Sequence, residues 1–291
     1  MSVFSINSIA NNLQATQQVQ RTQAALVDTL TQLSTGLRIN SAKDDPAGLI
    51  AQELLRAEIT ASNAAIKNTR MANAMLKVAE SGLGEINKLL NDAKGLTVEA
   101  ANSGVMSPEM IEANQTQVNQ ILNSVNRIAT TTNWIGKPLI DGTLSAQNGG
   151  ATFQLGTDVV PSQQYNETIE SLLATNIGDK NGKLNDLASG GKAELSVNPA
   201  LASKILDSAI LQIATKRGEI GATQKYTLDS NIAALENSVV QLTGALSQIS
   251  DADFAIVASE LARNQILLEA GIKTLGIINQ TPQYAASLIN A

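Results

Sequence analysis

The stretch ANAMLKVAESGLGEINKLLNDA, from Ala72 to Ala93, sets Ala72, Leu76, Ala79, Leu83, Ile86, Leu90 and Ala93 at alternating steps of four and three residues. That spacing lines all seven along one face of an α-helix and leaves the intervening positions outside the stripe. Gly82, Gly84 and Gly95 weaken the helix locally, each by about 1 kcal/mol relative to Ala. A second stripe matches it far along the chain, where Leu228, Ile232, Leu235, Val239, Leu242, Leu246 and Ile249 keep the same 4–3 order. Two long stripes of the same period predict helices that pack lengthwise and coil left-handedly.

Outward from these stripes, the pattern reaches both ends. Ile6, Ile9 and Leu13 keep a 3–4 spacing, resumed by Leu26, Leu30, Leu33 and Leu37. Gly36 breaks that helix, Arg38 to Pro46 reads as a polar connector, and Asp44, Asp45 and Pro46 suit the start of the second helix, over about 46–102. Ser107-Pro108 and Asn198-Pro199 are cap-plus-proline starts for a third helix ending near Thr130 and a fourth running to about Ile249. Ser250 to Asp253 makes a second polar joint. The last helix carries Phe254, Val257, Leu261, Leu268, Leu275 and Ile278, and Pro282 interrupts it. Between about 131 and 197 the composition turns to Gly, Asn, Ser and Thr. Asp141-Gly142 and Asn148-Gly149 there are hairpin-turn signals, and Ala151, Phe153 and Leu155 alternate with Thr152 and Gln154 as a half-buried strand would. The segments are therefore 1–36, 37–45, 46–130, 131–198, 199–249 and 250–291.

A helix over 46–102 would be about 85 Å long. A globule of this chain length would be only about 50 Å across. The expected fold is thus mainly α: an elongated antiparallel rod in which N- and C-terminal segments pair, with a small β-hairpin region in the middle. Aromatics make up 2% of the 291 residues, so Leu, Ile, Val and Ala must fill the core, a palette that suits interdigitated helices.

Composition removes whole classes of chemistry. There is no Cys and no His, which excludes thiol catalysis, disulfides, Cys-ligated zinc and the commonest general base. A net charge of −6 disfavours nucleic acid as a partner. No apolar run approaches the roughly 18 residues of a membrane span. The N-terminus lacks the basic and unbroken apolar regions of a cleaved signal, which alone reads as cytoplasmic.

Charge is also unevenly placed: no Asp, Glu, Lys or Arg occurs before Arg21 or after Lys273. Two apolar, uncharged helical tips have no use in a soluble monomer, because a helix hairpin leaves their outward faces exposed. Copies of the chain could bury them. Insertion at a membrane surface fits less well, since such helices show a Lys/Arg-rich face and these show Asn, Gln, Ser and Thr.

The connector Ser34-Thr35-Gly36-Leu37-Arg38-Ile39-Asn40-Ser41-Ala42-Lys43-Asp44-Asp45-Pro46-Ala47-Gly48-Leu49 resembles the signature connector of bacterial flagellins. Ser250-Asp251-Ala252-Asp253-Phe254-Ala255, with Gln265-Ile266-Leu267 and Ala270-Gly271 beyond it, is a second match. Arg217-Gly218-Glu219-Ile220-Gly221-Ala222-Thr223-Gln224 looks like that family's Arg-containing helix joint, and Phe153-Gln154-Leu155-Gly156 like its hairpin strand. The matches keep their order and cover all but roughly 175–200. The resemblance implies a short flagellin without the variable outer domain, since about Asp179 to Val197 is too short to fold alone.

It further implies a secreted subunit that polymerises with itself into the extracellular flagellar filament for swimming. Export would be unfolded, through the flagellar type III apparatus and without a cleaved signal, with an export chaperone and filament cap and junction proteins as partners. Gly36, Arg38, Asn40, Asp44, Asp45, Gly48, Arg217, Asp251 and Asp253 would serve assembly and the connectors. Ile6, Ile9, Leu13, Leu268, Leu275 and Ile278 would pack the inner tube. No cofactor, metal or catalytic residue is implied.

The pattern has departures. Asn133-Trp134-Ile135-Gly136 stands where an aromatic–Asn–Gly turn is usual, and Gln248 where an Arg commonly precedes the joint. The segment that an innate immune receptor reads in many flagellins falls at about Leu89–Ala101 and the early third helix. Leu96 is kept there, but Asp92 and Gln117 replace an expected Arg and Glu, which counts against recognition. Arg38, Asp44 and Asp45 could form a carboxylate site, but no nucleophile or metal set accompanies them; capping and ion pairing explain them better. The alternatives are a hook–filament junction protein and, further off, a secreted adhesin acting through the central hairpin. A metalloprotease insert is excluded, because its zinc motif needs His.

Overall fold

The computed structural model describes the backbone of residues 2–102 and 104–289 and the side chains of residues 10–102 and 104–280. Six α-helices occur among them: α1 (Ser2–Thr35), α2 (Pro46–Ala100), α3 (Pro108–Thr131), α4 (Pro199–Ala222), α5 (Ser230–Ser250) and α6 (Phe254–Ile289). Six short strands lie between α3 and α4: β1 (Asn133–Trp134), β2 (Lys137–Pro138), β3 (Ala151–Gln154), β4 (Gln164–Glu167), β5 (Gly178–Asp179) and β6 (Gly182–Lys183). They form three separate antiparallel pairs, β1–β2, β3–β4 and β5–β6. The chain divides into two compact units, residues 1–59 with 240–291, and residues 60–239.

The second unit is organised by the stripe on α2. All seven of its residues are buried, with Leu76, Ala79, Leu83, Ile86 and Leu90 wholly so. They pack with Val118, Leu122 and Val125 of α3 and with Leu206, Ala209, Ile213 and Ile220 of α4 in one core. Antiparallel order of α2 against α4 follows from the polar pairs along their edges: Lys94 meets Asp207, Glu80 meets Arg217, and Asn73 meets Asp229. Ser107 caps α3 and Asn198 caps α4, each with Pro at the first helical position. Gly82 is more than a weak point. A Cβ there would sit 2.8 Å from Thr132 Oγ1 and 3.2 Å from Ile140 Cδ1, so its absence lets the loop after α3 lie on α2.

The segment between α3 and α4 has too little sheet to satisfy itself, and side-chain amides of the helices supply the missing bonds. Gln115, 3% exposed, donates to the Leu187 carbonyl and accepts from the Leu195 N–H. Gln212 pairs in both directions with the backbone of Gly178. Leu139, Ile140, Ile169, Ile177, Leu184, Leu187 and Leu195 thereby reach the core. The stretch around 179–197 is part of this unit, and no outer domain occurs among the described residues.

Three expectations are corrected. The signals Asp141-Gly142 and Asn148-Gly149 are not hairpin turns. Asp141 instead takes the Thr143 N–H into a local turn, and Gly149 closes a 3-10 turn over Ala146–Asn148. The two-residue turns are Lys180-Asn181 and Ile135-Gly136, the latter with positive φ at both residues (50° and 78°), as a type I′ turn requires. The fourth helix is not uniform to Ile249: it passes through a π-helical segment, Thr223–Asp229, before α5 begins. Pro282 does not stop α6, which is helical to Ile289.

The first unit pairs α1 with α6 in antiparallel order: Asn12 donates to Asn279 (2.6 Å), Val19 faces Gly271, and Thr29 meets Asn264. The seam is more polar than expected. It runs through Ala15, Val19, Thr22, Leu26, Thr29 and Leu33, not through Leu13 and Leu30, which are 60% and 46% exposed. Thr22 and Thr29 can be buried because each hydroxyl donates to the carbonyl four residues back. Thr29 Oγ1 then accepts the buried Asn264 amide at 3.2 Å, a polar contact that fixes helix register.

Candidate functional site

Both polar joints lie in the first unit, and the fold bonds them to each other. α1 ends because Gly36 takes the left-handed conformation, φ 72°, with its N–H on the Gln32 carbonyl. Leu37 then pairs with Asp251 in an antiparallel bridge, Arg38 N–H donates to the Ser250 carbonyl at 2.6 Å, and Ala252 N–H donates to Gly36 O at 2.9 Å. The Arg38 side chain, expected to form an ion pair, instead donates through Nη2 to the Ile249 carbonyl at 2.7 Å. A cation suits the end of α5, where carbonyls lack helical partners and the dipole is negative.

The rest of the connector is a set of caps. Asn40 and Ser41 donate their backbone N–H groups to Asp44 Oδ2 at 3.1 and 2.8 Å, which holds the Asp44 carboxyl below the usual carboxylate range. Asn40 closes back on the Leu37 carbonyl. Asp45 caps α2 by accepting from Gly48 N–H at 2.9 Å. Asp253 does the same for α6, accepting from Ala255 and Ile256. Asp251, expected at a helix start, instead accepts from Ser247 and Ser250 at the end of α5.

Ile39, quoted in the connector motif but given no role, is the apolar anchor: it is 2% exposed and lies against Gly48. Its neighbours in sequence are polar, so periodicity gives no sign of it. Arg217 belongs to the second unit, where Nε and Nη2 both reach Glu80 Oε1, at 3.1 and 2.6 Å. Leu268, Leu275 and Ile278 lie half-buried on the α1 side of α6, whereas Leu13 faces outward; Ile6 and Ile9 lie outside the described side chains.

Part of what this unit leaves uncovered is apolar. Leu13, Val27 and Leu30 on α1, Ile50 and Leu54 on α2, and Phe254, Ile256, Ile266, Leu267 and Ile272 on α6 are between 46% and 68% exposed. Scattered single apolar residues are ordinary, but several of these recur within one or two helical turns of each other, as Val27 with Leu30, Ile50 with Leu54, and Ile266 and Leu267 with Ile272, the pattern of surfaces that meet a partner. Among the described residues, no group of acidic, His or Cys side chains could hold a metal, and no helix is long and apolar enough to cross a membrane.

Comparison with known proteins agrees in its placement. The bacterial flagellin N-terminal helical region matches residues 6–145 and the bacterial flagellin C-terminal helical region matches residues 203–289. The flagellin of Bacillus subtilis is 31% identical over 279 residues, covering 88% of this chain and 90% of that one. The flagellar filament 33 kDa core protein of Treponema phagedenis is 30% identical, covering 98% and 99%. Among solved structures, a flagellar hook-associated protein from Vibrio parahaemolyticus shares the fold, with a TM-score of 0.60 at 16% identity over 72% of this chain and 100% of that one. The two matched regions hold the bonded connectors and the α1–α6 pair, and on that agreement the chain belongs to the flagellin family.

Proposed function

We infer that the chain is the structural subunit of a flagellar filament, built by polymerisation of the chain with itself and serving swimming. The observation that carries the reading is the uncovered apolar surface of the first unit, on a member of a family whose relatives bear filament names. Each copy would bury that surface against others, and the hydrophobic gain, about 25 cal/mol per Å², drives growth. The bonded connectors would hold the paired tips in one orientation while they dock. Work of this kind is packing, and the reading includes no catalysis.

The finer parts of the proposal are an extracellular location, export through a flagellar type III apparatus aided by a chaperone, and contact with cap and junction proteins. Recognition by an innate immune receptor is left out of it, since Asp92 and Gln117 stand on the α2–α3 face concerned. The hook–filament junction reading shares only a fold likeness with this chain. Deleting the gene and imaging material sheared from the cells tests the proposal. Loss of filaments and of swimming is expected, and a deletion strain with intact filaments and full motility would overturn it unless a sister subunit is found in them.

A further inference from the structure

The buried and half-buried positions of the C-terminal helices keep a 3–4 order that fails once. Leu206, Ala209, Ile213, Lys216 and Ile220 follow it, and so do Leu228, Ile232, Leu235 and Val239. Between the two sets the seam steps from Ile220 to Thr223 and then five residues to Leu228. The seven-residue spacing of Leu206, Ile213 and Ile220 thus becomes eight before Leu228 and returns to seven at Leu235. One residue is in surplus. In an unbroken α-helix it would rotate everything beyond it by about 100° and carry Leu228 off the core face.

Leu228 is nevertheless wholly buried, and the surplus falls within the π-helical segment Thr223–Asp229. Bonding from i to i+5 widens one turn and takes up an extra residue, which explains the five-residue step between two buried positions. The outer side of this turn carries Lys225 and Tyr226, both exposed, with the ammonium 5.1 Å from the ring centre. The hydroxyl of Ser230 takes the Tyr226 carbonyl.

The turn is fastened from the side. Thr223 Oγ1 lies 3.3 Å from Glu167 Oε2 and 3.0 Å from the Tyr165 hydroxyl, which itself reaches Glu167 at 3.1 Å. Glu167 is 4% exposed and its other oxygen takes Lys216 Nζ at 3.3 Å. Strand β4 therefore grips the first residue of the wide turn through a buried carboxylate. The sequence blocks sliding as well. Moving the surplus toward the C-terminus would bring Thr227, Asn231, Ala234 and Ser238 into the seam in place of Leu228, Ile232, Leu235 and Val239. Moving it toward the N-terminus would bring in Ala214, Arg217 and Gly221 for Ile213, Lys216 and Ile220.

We propose that Thr223–Asp229 is a fixed phase joint: a single surplus residue, stored as a π turn and pinned by Glu167, keeps the apolar stripes of α4 and α5 on one face. The joint is independent of polymerisation and can be tested on the monomer. Deleting Lys225 removes the surplus and leaves a continuous 4–3 stripe, so the chain stays folded and its melting temperature moves by no more than about 3 °C. Deleting the exposed Ala234 removes a residue from a stretch already in phase, and is expected to lower the melting temperature by about 10 °C or to prevent folding. Amide exchange supplies the second readout, with the weakly protected turn at 223–229 replaced by uniform helical protection once Lys225 is gone. The proposal is overturned if the Lys225 deletion is as damaging as the Ala234 deletion, or if both are harmless.

Discussion

Gly48 offers a test in which the sign of a familiar substitution should reverse. Gly→Ala inside a helix ordinarily gains about 1 kcal/mol, because Ala loses less backbone entropy. Gly48 lies in the first turn of α2 beneath the connector. A Cβ there would come 2.5 Å from Ile39 Cδ1 and 2.8 Å from Asp45 Cγ, with the Asp45 carboxylate oxygen closer still. Ile39 is 2% exposed and has nowhere to go, and Asp45 cannot withdraw without leaving the Gly48 N–H uncapped. Overpacking costs about 1–3 kcal/mol and the lost cap about 1 kcal/mol, so the Gly→Ala gain is outweighed by about 1–3 kcal/mol. Calorimetry should place Gly48→Ala roughly 6 °C below wild type. Gly95, on the same helix with nothing within 4 Å of its Cβ position, is the control: Gly95→Ala should melt roughly 3 °C higher. A Gly48→Ala chain that melts at or above wild type would refute the account of the connector.

Three further outcomes follow from the same geometry. Asp44 has a lowered carboxyl pKa, so its stabilising bonds are present above the unfolded value near pH 4 and fade as pH falls through the folded value; the melting difference between wild type and Asp44→Asn should narrow from about pH 5 to about pH 2, and a constant difference would contradict it. The Arg217–Glu80 pair has side chains 37% and 38% exposed, so Arg217→Ala should cost no more than about 1 kcal/mol in urea unfolding, and less in high salt. Ile266→Asp, on an outward face of α6, should leave circular dichroism of the monomer unchanged while abolishing polymerisation; normal polymer growth would show that this face is not used.

The seven-residue stripe of α2 was legible because burial there depends on position alone, and the caps at Ser107 and Asn198 because their chemistry is local; the matching stripe from Leu228 to Ile249 is wholly buried only at Leu228 and half-buried beyond it. The α1–α6 seam was not. Its buried Thr22, Thr29 and Asn264 look like surface residues until each is seen to bond a helix carbonyl or the other, while Leu13 and Leu30 imitate a seam they do not join. The turns failed for a related reason: Asp141-Gly142 and Asn148-Gly149 favour tight backbone, but nothing in a dipeptide says that strands flank it. The connectors were visible one at a time. Their mutual bonding, with Arg38 on a carbonyl of α5, joins residues about 210 positions apart, and no local pattern could announce it. Glu167 is the residue that sequence reading missed altogether, a lone acid in a polar segment whose burial depends on Tyr165, Lys216 and Thr223.

The central claim, that the apolar surface left uncovered on the first unit exists to be buried among copies, is tested most directly by seeded polymerisation of the purified chain. In high salt with filament fragments as seeds, the full chain should grow filaments visible in negative stain. The chain lacking the residues before Arg21 should stay monomeric while keeping the helical spectrum of what remains. A full chain that stays monomeric on seeds, or a truncated chain that polymerises as well as the full one, would contradict the account.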